Sequence, residues 1–222
     1  TPDRKIRPCL STGPWYPNDP AQLKQLLDSF YKHTHSKKIP GKIIAVISPH
    51  AGLSYSGLCA SNGFKTLESR TDLERVFLLG ISHRAGFYGA AVSDFDYNET
   101  PLGNIPVDTE ITTALAKNKF FTKRNRVMQY EHSIENQLPF LYHTLQKLGK
   151  TKGQVKIIPI LFSRVNPNDY PKIAAVIKQF VNDNTAIIAS TDFTHYGDNF
   201  QYTPFKNDQN IKKNLTKLDM GM

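Results

Sequence analysis

Short apolar runs alternate with helical stripes along the chain. The runs Lys42-Ile43-Ile44-Ala45-Val46-Ile47, Arg75-Val76-Phe77-Leu78-Leu79, Val155-Lys156-Ile157-Ile158-Pro159-Ile160-Leu161 and Thr185-Ala186-Ile187-Ile188-Ala189 are rich in β-branched residues. They read as strands buried in a parallel sheet. Pro159 has no amide proton to give, which predicts an edge or a bulge for its part of the third strand. Weaker extended segments are predicted at 90–92 and 103–107. Helical spacing fills the intervals. Asn18-Asp19-Pro20 offers a cap and a first-turn proline ahead of Leu23, Leu26, Leu27 and Phe30. Asp108 is predicted to cap a helix carrying Ile111, Ala114 and Leu115. Ser133 is predicted to cap one carrying Leu138, Leu141, Leu145 and Leu148, ended by Gly149. Asp169 precedes Pro171 and the stripe Ile173, Val176, Ile177 and Phe180. This βαβα order predicts a three-layer α/β/α fold around a mainly parallel or mixed sheet. A last helix is predicted from Ile211, Leu215, Leu218 and Met222, with Gly221 as its C-cap. Nothing follows to cover that stripe, so the chain reads as lacking a C-terminal segment.

Composition narrows the class. With 222 residues and 39% apolar content the chain can bury one sizeable core, and residues 1–222 read as a single domain. No run approaches the roughly 18 apolar residues of a membrane span, and no signal-peptide pattern opens the chain. Cys9 and Cys59 form no CxxC pair, as expected of a reducing, intracellular compartment. The net charge of +9 is spread over Lys37-Lys38, Lys117 to Arg126, Lys147 to Lys156 and Lys212 to Lys217. These tracts lie between elements, without an aromatic platform or zinc-finger spacing, so nucleic-acid binding ranks last. They read as solvated loops, with an electrostatic pull on acidic ligands or phosphates as the second reading.

The chemistry concentrates in four histidine-bearing segments. Pro49-His50-Ala51-Gly52 follows the first strand, Gly80-Ile81-Ser82-His83-Arg84 the second, and Thr191-Asp192-Phe193-Thr194-His195 the fourth. Glu131-His132-Ser133 opens a helix. A parallel sheet lines up the carboxyl ends of its strands, where ligands bind. Any one of these rings could simply bond a nearby carbonyl, but four such placements point to a metal or acid/base site. Gly52 and Gly57 suggest tight turning around Tyr55. Arg84 stands where a nucleophile elbow needs glycine, which disfavours serine-hydrolase chemistry and leaves Ser82 as a supporting partner or a cap. Asp192 and His195 would share one face if their turn were helical, and the pair suits a general base or a metal ligand. Glu131 and Glu135 either complete a metal site or favour the helix start. His33, His35 and His143 read as surface groups.

These residues carry a family resemblance. Gly13-Pro14-Trp15-Tyr16, Pro49-His50-Ala51-Gly52 through Tyr55-Ser56-Gly57, Leu79-Gly80-Ile81-Ser82-His83 and Thr100-Pro101-Leu102-Gly103 resemble segments of the Memo family (mediator of ErbB2-driven cell motility). So do Glu131-His132-Ser133-Ile134-Glu135 through Leu138-Pro139, and Ser190-Thr191-Asp192-Phe193-Thr194-His195-Tyr196-Gly197. The resemblance implies the fold of LigB-type class III extradiol dioxygenases. It implies that His50 and His83 bind iron(II) or copper, with Asp192 and His195 lining the same pocket as an acid/base pair. It implies that Trp15 and Tyr55, with His132 nearby, recognise phosphotyrosine peptides of receptor tails. The family's third ligand is a cysteine beyond the position of Met222. Neither Cys9 nor Cys59 matches it, so weakened metal binding is expected here. The leading expectation is a cytoplasmic, in part nuclear, signalling protein acting on motility and the cytoskeleton. The alternative is a non-haem iron dioxygenase or other redox enzyme.

Overall fold

A computed structural model describes residues 4–35 and 39–221. Met222 and the Lys37-Lys38 pair lie outside the described residues. The chain forms two compact units, Thr1–Thr191 and Asp192–Met222.

In the first unit the continuous apolar runs become the centre of a six-stranded sheet. Its strands are β2 (Ala45–Ser48), β3 (Arg75–Ile81), β4 (Ala90–Val92), β7 (Phe121–Lys123), β8 (Lys156–Phe162) and β9 (Thr185–Ser190). Their order is β2-β9-β3-β8-β4-β7, parallel except where β4 meets β8. Alternate side chains feed two apolar layers, as the pleat requires. Val76 and Leu78 of β3, Ile157 and Leu161 of β8, and Ile188 of β9 enter one core. Phe77, Ile158 and Ile160 enter the other. The first core is closed by helices α1 (Pro20–Lys32), α2 (Leu53–Thr66) and α6 (Leu138–Lys147) through Leu27, Phe64 and Leu141. The second is closed by α3 (Thr109–Leu115) and α7 (Tyr170–Lys178) through Leu115 and Ile173. The predicted three-layer α/β/α fold with a mixed, mainly parallel sheet is the one observed.

A second sheet joins β1 (Ile6–Arg7), β5 (Tyr97–Thr100) and β6 (Gly103–Pro106) in the order β1-β5-β6. Its hairpin explains Thr100-Pro101-Leu102-Gly103. The Thr100 hydroxyl accepts from the Leu102 and Gly103 amides at 3.1 Å each. Gly103 has φ +145°, and any Cβ there would meet the Tyr142 hydroxyl at 2.4 Å.

Pro159 pairs with Leu78 of β3, while β4 meets β8 only at Leu161 and Phe162, so its part of the strand has the open side predicted for a residue without an amide proton. Other sequence expectations are corrected. The first strand begins at Ala45 rather than Lys42. Gly57 sits inside helix α2, where a Cβ would meet the Phe30 ring at 2.3 Å, so it serves close helix packing and not a turn around Tyr55. Ser133 is no cap: a short helix α5 (His132–Glu135) starts after Glu131, whose side chain accepts from the Ser133 amide. His143 is 2% exposed, with Nε2 2.8 Å from Asp28 Oδ1 and its ring against Tyr31. It is buried because α6 presents it to α1.

The second unit carries helix α8 (Ile211–Met220), as the stripe predicts, with Gly221 at its C-cap. Asp219 accepts from the Thr194 hydroxyl at 2.6 Å, and Tyr196 donates to the Phe205 carbonyl at 2.7 Å. Residues 191–196 form no helix, contrary to the conditional reading of Asp192 and His195. Even so, His195 Nε2 lies 3.6 Å from Asp192 Oδ2, and its ring meets Phe200 edge-on.

Candidate metal centre

Two chain reversals and one helix start build the site. β2 ends at Ser48 and delivers His50 after Pro49, while β3 ends at Ile81 and delivers His83. Helix α4 (Asn125–Gln129) is followed by Glu131, which opens α5 with His132 as its first residue. One donor atom from each of His50, His83 and His132 lies within 4.8 Å of the other two. Among the described residues this is the group of histidine, cysteine and carboxylate side chains that can hold a metal ion. The rings grade from buried His50 to solvent-facing His83, whose side chain is 40% exposed.

Each ring is held from behind. The Ser190 hydroxyl donates to the Ser133 carbonyl and accepts from Gln137 Nε2 at 2.9 Å. A serine hydroxyl has a single proton, so towards His50 Nδ1, 3.0 Å away, it can only accept. The proton of neutral His50 therefore sits on Nδ1. The Asn136 amide fixes the same residue by donating to the His50 carbonyl at 2.7 Å. His83 Nδ1 lies 2.9 Å from Glu131 Oε1, a carboxylate oxygen that accepts. Trp15 stacks on His132 with centroids 4.2 Å apart and planes 19° off parallel. His132 Nδ1 is buried, and although 3.3 Å from Glu131 Oε1 it makes no directional hydrogen bond there. Three imidazoles suit iron, copper and zinc, so the donor set fits a transition-metal ion.

Burial pushes His132 down to about 4, helped by the neighbouring His83 and His50 and opposed by Glu131. Burial pushes Glu131 up, but the His83 and Ser133 amides and the His83 ring outweigh it and hold the carboxyl below its ordinary range. An unfolded histidine takes up its proton near pH ~6.5, whereas folded His132 refuses one until about 4. Between these values the unfolded chain binds more protons. Stability of the metal-free protein is therefore complete above pH ~6.5 and declines as pH falls toward ~4, by about 3 kcal/mol from this group. Urea unfolding at several pH values, with His132→Asn as comparison, checks it. Equal slopes in the two proteins would remove His132 as the cause.

The remaining candidates fall elsewhere. Neither Glu131 nor Glu135 is among the clustered donors: Glu131 braces His83, and Glu135 pairs with Arg7 at 2.8 Å. The Ser82 hydroxyl closes its own turn by donating to the Ala85 carbonyl at 2.8 Å. Tyr55 projects from the first turn of α2 and is 90% exposed. Asp192 and His195 belong to the second unit. Sequence reading missed Ser190 and Gln137. A serine closing a buried strand gave a weak hint of the first, and nothing local marked the second.

Comparison with known proteins agrees with the motifs. A profile described as Memo-like protein matches residues 7–222. A MEMO1 family protein of Schizosaccharomyces pombe is 36% identical over 208 residues, covering 92% of this chain and 66% of that protein. Protein MEMO1 of Xenopus laevis is 31% identical over 220 residues, covering 97% of this chain and 72% of its own length. The family protein MHO1 of Saccharomyces cerevisiae is 31% identical, with 90% and 62% covered. The chain thus spans less than two thirds of the length of some of these relatives. With that profile running over almost every residue, the chain belongs to the Memo-like protein family.

Proposed function

We propose that this is a Memo-type signalling protein in which His50, His83 and His132 hold a redox-capable ion, iron(II) or copper. The observation that carries the reading is the convergence of three imidazole donors within 4.8 Å at the carboxyl edge of the sheet. The bound ion would supply Lewis-acid or one-electron chemistry. Trp15 and Tyr55 are read as the recognition surface for a phosphotyrosine peptide, through which motility and the cytoskeleton respond. Trp15 lies against His132, so an occupant of that surface would adjoin the metal donors. The net charge of +9 favours a phosphorylated partner. The setting is read as cytoplasmic and in part nuclear from the family resemblance, and among the described residues no helix is long and apolar enough to cross a membrane. The family profile runs across both units, which supports reading residues 1–222 as one Memo-like domain.

A dioxygenase-like reading stands second, favoured by a donor set that among the described residues numbers three side chains, since three leave coordination positions open. Asp192 and His195, 3.6 Å apart within the second unit, are read as an acid/base pair on their own geometry. The decisive measurement is metal stoichiometry after equilibration with iron(II) or copper(I). Roughly one equivalent is expected in the wild type and almost none in His50→Ala/His83→Ala. An empty wild type would sink the metal reading and leave peptide binding. Oxygen uptake with catechol, above that of free iron, would promote the second reading over the first.

A further inference from the structure

We infer that Glu131 is the positioning residue of the site, fixing the tautomer of His83 and the seating of His132 together. The inference rests on the metal reading above for its purpose, but its geometry stands alone. The Glu131 side chain is 2% exposed. Its Oε2 accepts from the His83 main-chain amide at 2.8 Å, and its Oε1 from His83 Nδ1 at 2.9 Å. Oε1 also accepts from the Ser133 amide at 2.9 Å, which starts the helix that carries His132. One carboxylate therefore holds the backbone of one histidine, the ring of that histidine and the helix start of another. Residues 83 and 131 belong to separate segments of the chain, so their spacing is set by tertiary contacts: those of this carboxylate, and the Ser133 hydroxyl on the Ile81 main chain beside it.

Chemistry gives the arrangement its direction. A carboxylate buried among three N–H donors only accepts, so the proton of neutral His83 is placed on Nδ1 and the lone pair on Nε2. That is the pattern by which outer carboxylates orient metal-binding histidines and raise their basicity. The main chain of Glu131 is held in turn, since its carbonyl accepts from Arg7 Nη2 at 2.9 Å.

Glutamine is a poor substitute here. All three neighbours donate, so its NH2 group must face at least one N–H. Glu131→Asp keeps the charge and a good helix cap, but draws the carboxylate back from the His83 ring by one carbon. The test uses nitrogen-15 NMR of the imidazoles in the metal-free protein, followed by cobalt(II) titration read by visible absorption. The wild type is expected to show His83 as the Nδ1–H tautomer. Both variants should show a mixture, with cobalt affinity lower by about tenfold to a hundredfold. If Glu131→Gln fails to fold, Glu131→Asp carries the test. An unchanged tautomer and affinity in a folded variant would overturn the inference. A wild type that binds no cobalt, while the tautomer still depends on Glu131, would sink the metal reading and uphold the positioning role.

Discussion

Arg7→Met is expected to destabilise the protein by about 3–5 kcal/mol, the cost of leaving a buried charge without its partner. Arg7 is 2% exposed although it lies in a two-residue strand near the start of the chain. Its guanidinium donates to the carbonyls of Met128 and Gln129 at 2.9 Å each, and to that of Glu131 at 2.9 Å. It also stands 2.8 Å from Glu135 Oε2, on a side chain 1% exposed. That contact has ion-pair distance without hydrogen-bond direction, so its worth is coulombic. Removal strips two buried carbonyls, those of Met128 and Glu131, and the half-buried one of Gln129 of their donor. It also leaves the Glu135 carboxylate with only the Tyr16 hydroxyl and the Ser11 amide, both on Oε1. Methionine fills much of the volume, so the loss measures the electrostatics and not a cavity. The double variant Arg7→Met/Glu135→Leu should recover part of the loss, because exchanging a whole buried pair for apolar groups is often near neutral. Urea denaturation of the single and double variants decides. A single-variant loss under about 1 kcal/mol would mean that water already reaches the pair.

Legibility in the sequence followed how far each element is determined by its own residues. β3, β8 and β9 could be read because parallel strands covered on both faces need continuous apolar runs. β1, β5 and β7 could not, being two to four residues long and ordered by their neighbours. Helix α2 was obscured by its glycines, which look like turn residues. They are there because Phe30 and Val46 press on positions 57 and 63, leaving 2.3 Å and 2.6 Å where a Cβ would be. His50 and His83 were visible as the residues just past two strands. His132 joins them through the pairing of Glu131 with His83, 48 positions apart in sequence, and no local pattern contains that pairing. Ser133 misled for a related reason. Its hydroxyl has the chemistry of a cap but is used across the structure, donating to the Ile81 carbonyl at 2.8 Å. The same applies to His143, where a helix-face position says nothing of the Asp28 and Tyr31 it meets.

Gly80→Val is expected to cost about 3 kcal/mol of stability and to weaken metal binding with it. Valine is the better strand former, by up to about 1 kcal/mol, so propensity alone predicts a gain. Sterics run the other way and win. Gly80 is buried in β3, and a Cβ there would lie 2.7 Å from both Ser133 Oγ and Ile134 Cγ1. Neither atom can easily yield. Ser133 Oγ is tied to the main chain of Ile81, and Ile134 is 3% exposed within the first core. The adjustment left is for α5 to lift from β3. His132 opens α5 and His83 follows β3, so the same motion separates two rings whose centroids are 4.4 Å apart. Gly80→Ala should show a smaller loss of the same kind, about 1–2 kcal/mol. Denaturation and cobalt titration of both variants give the check, and the two effects should scale together. Loss of stability with full metal affinity would mean that α5 moves as one body with the end of β3. Retention of both would mean that α5 is not seated on Gly80 at all.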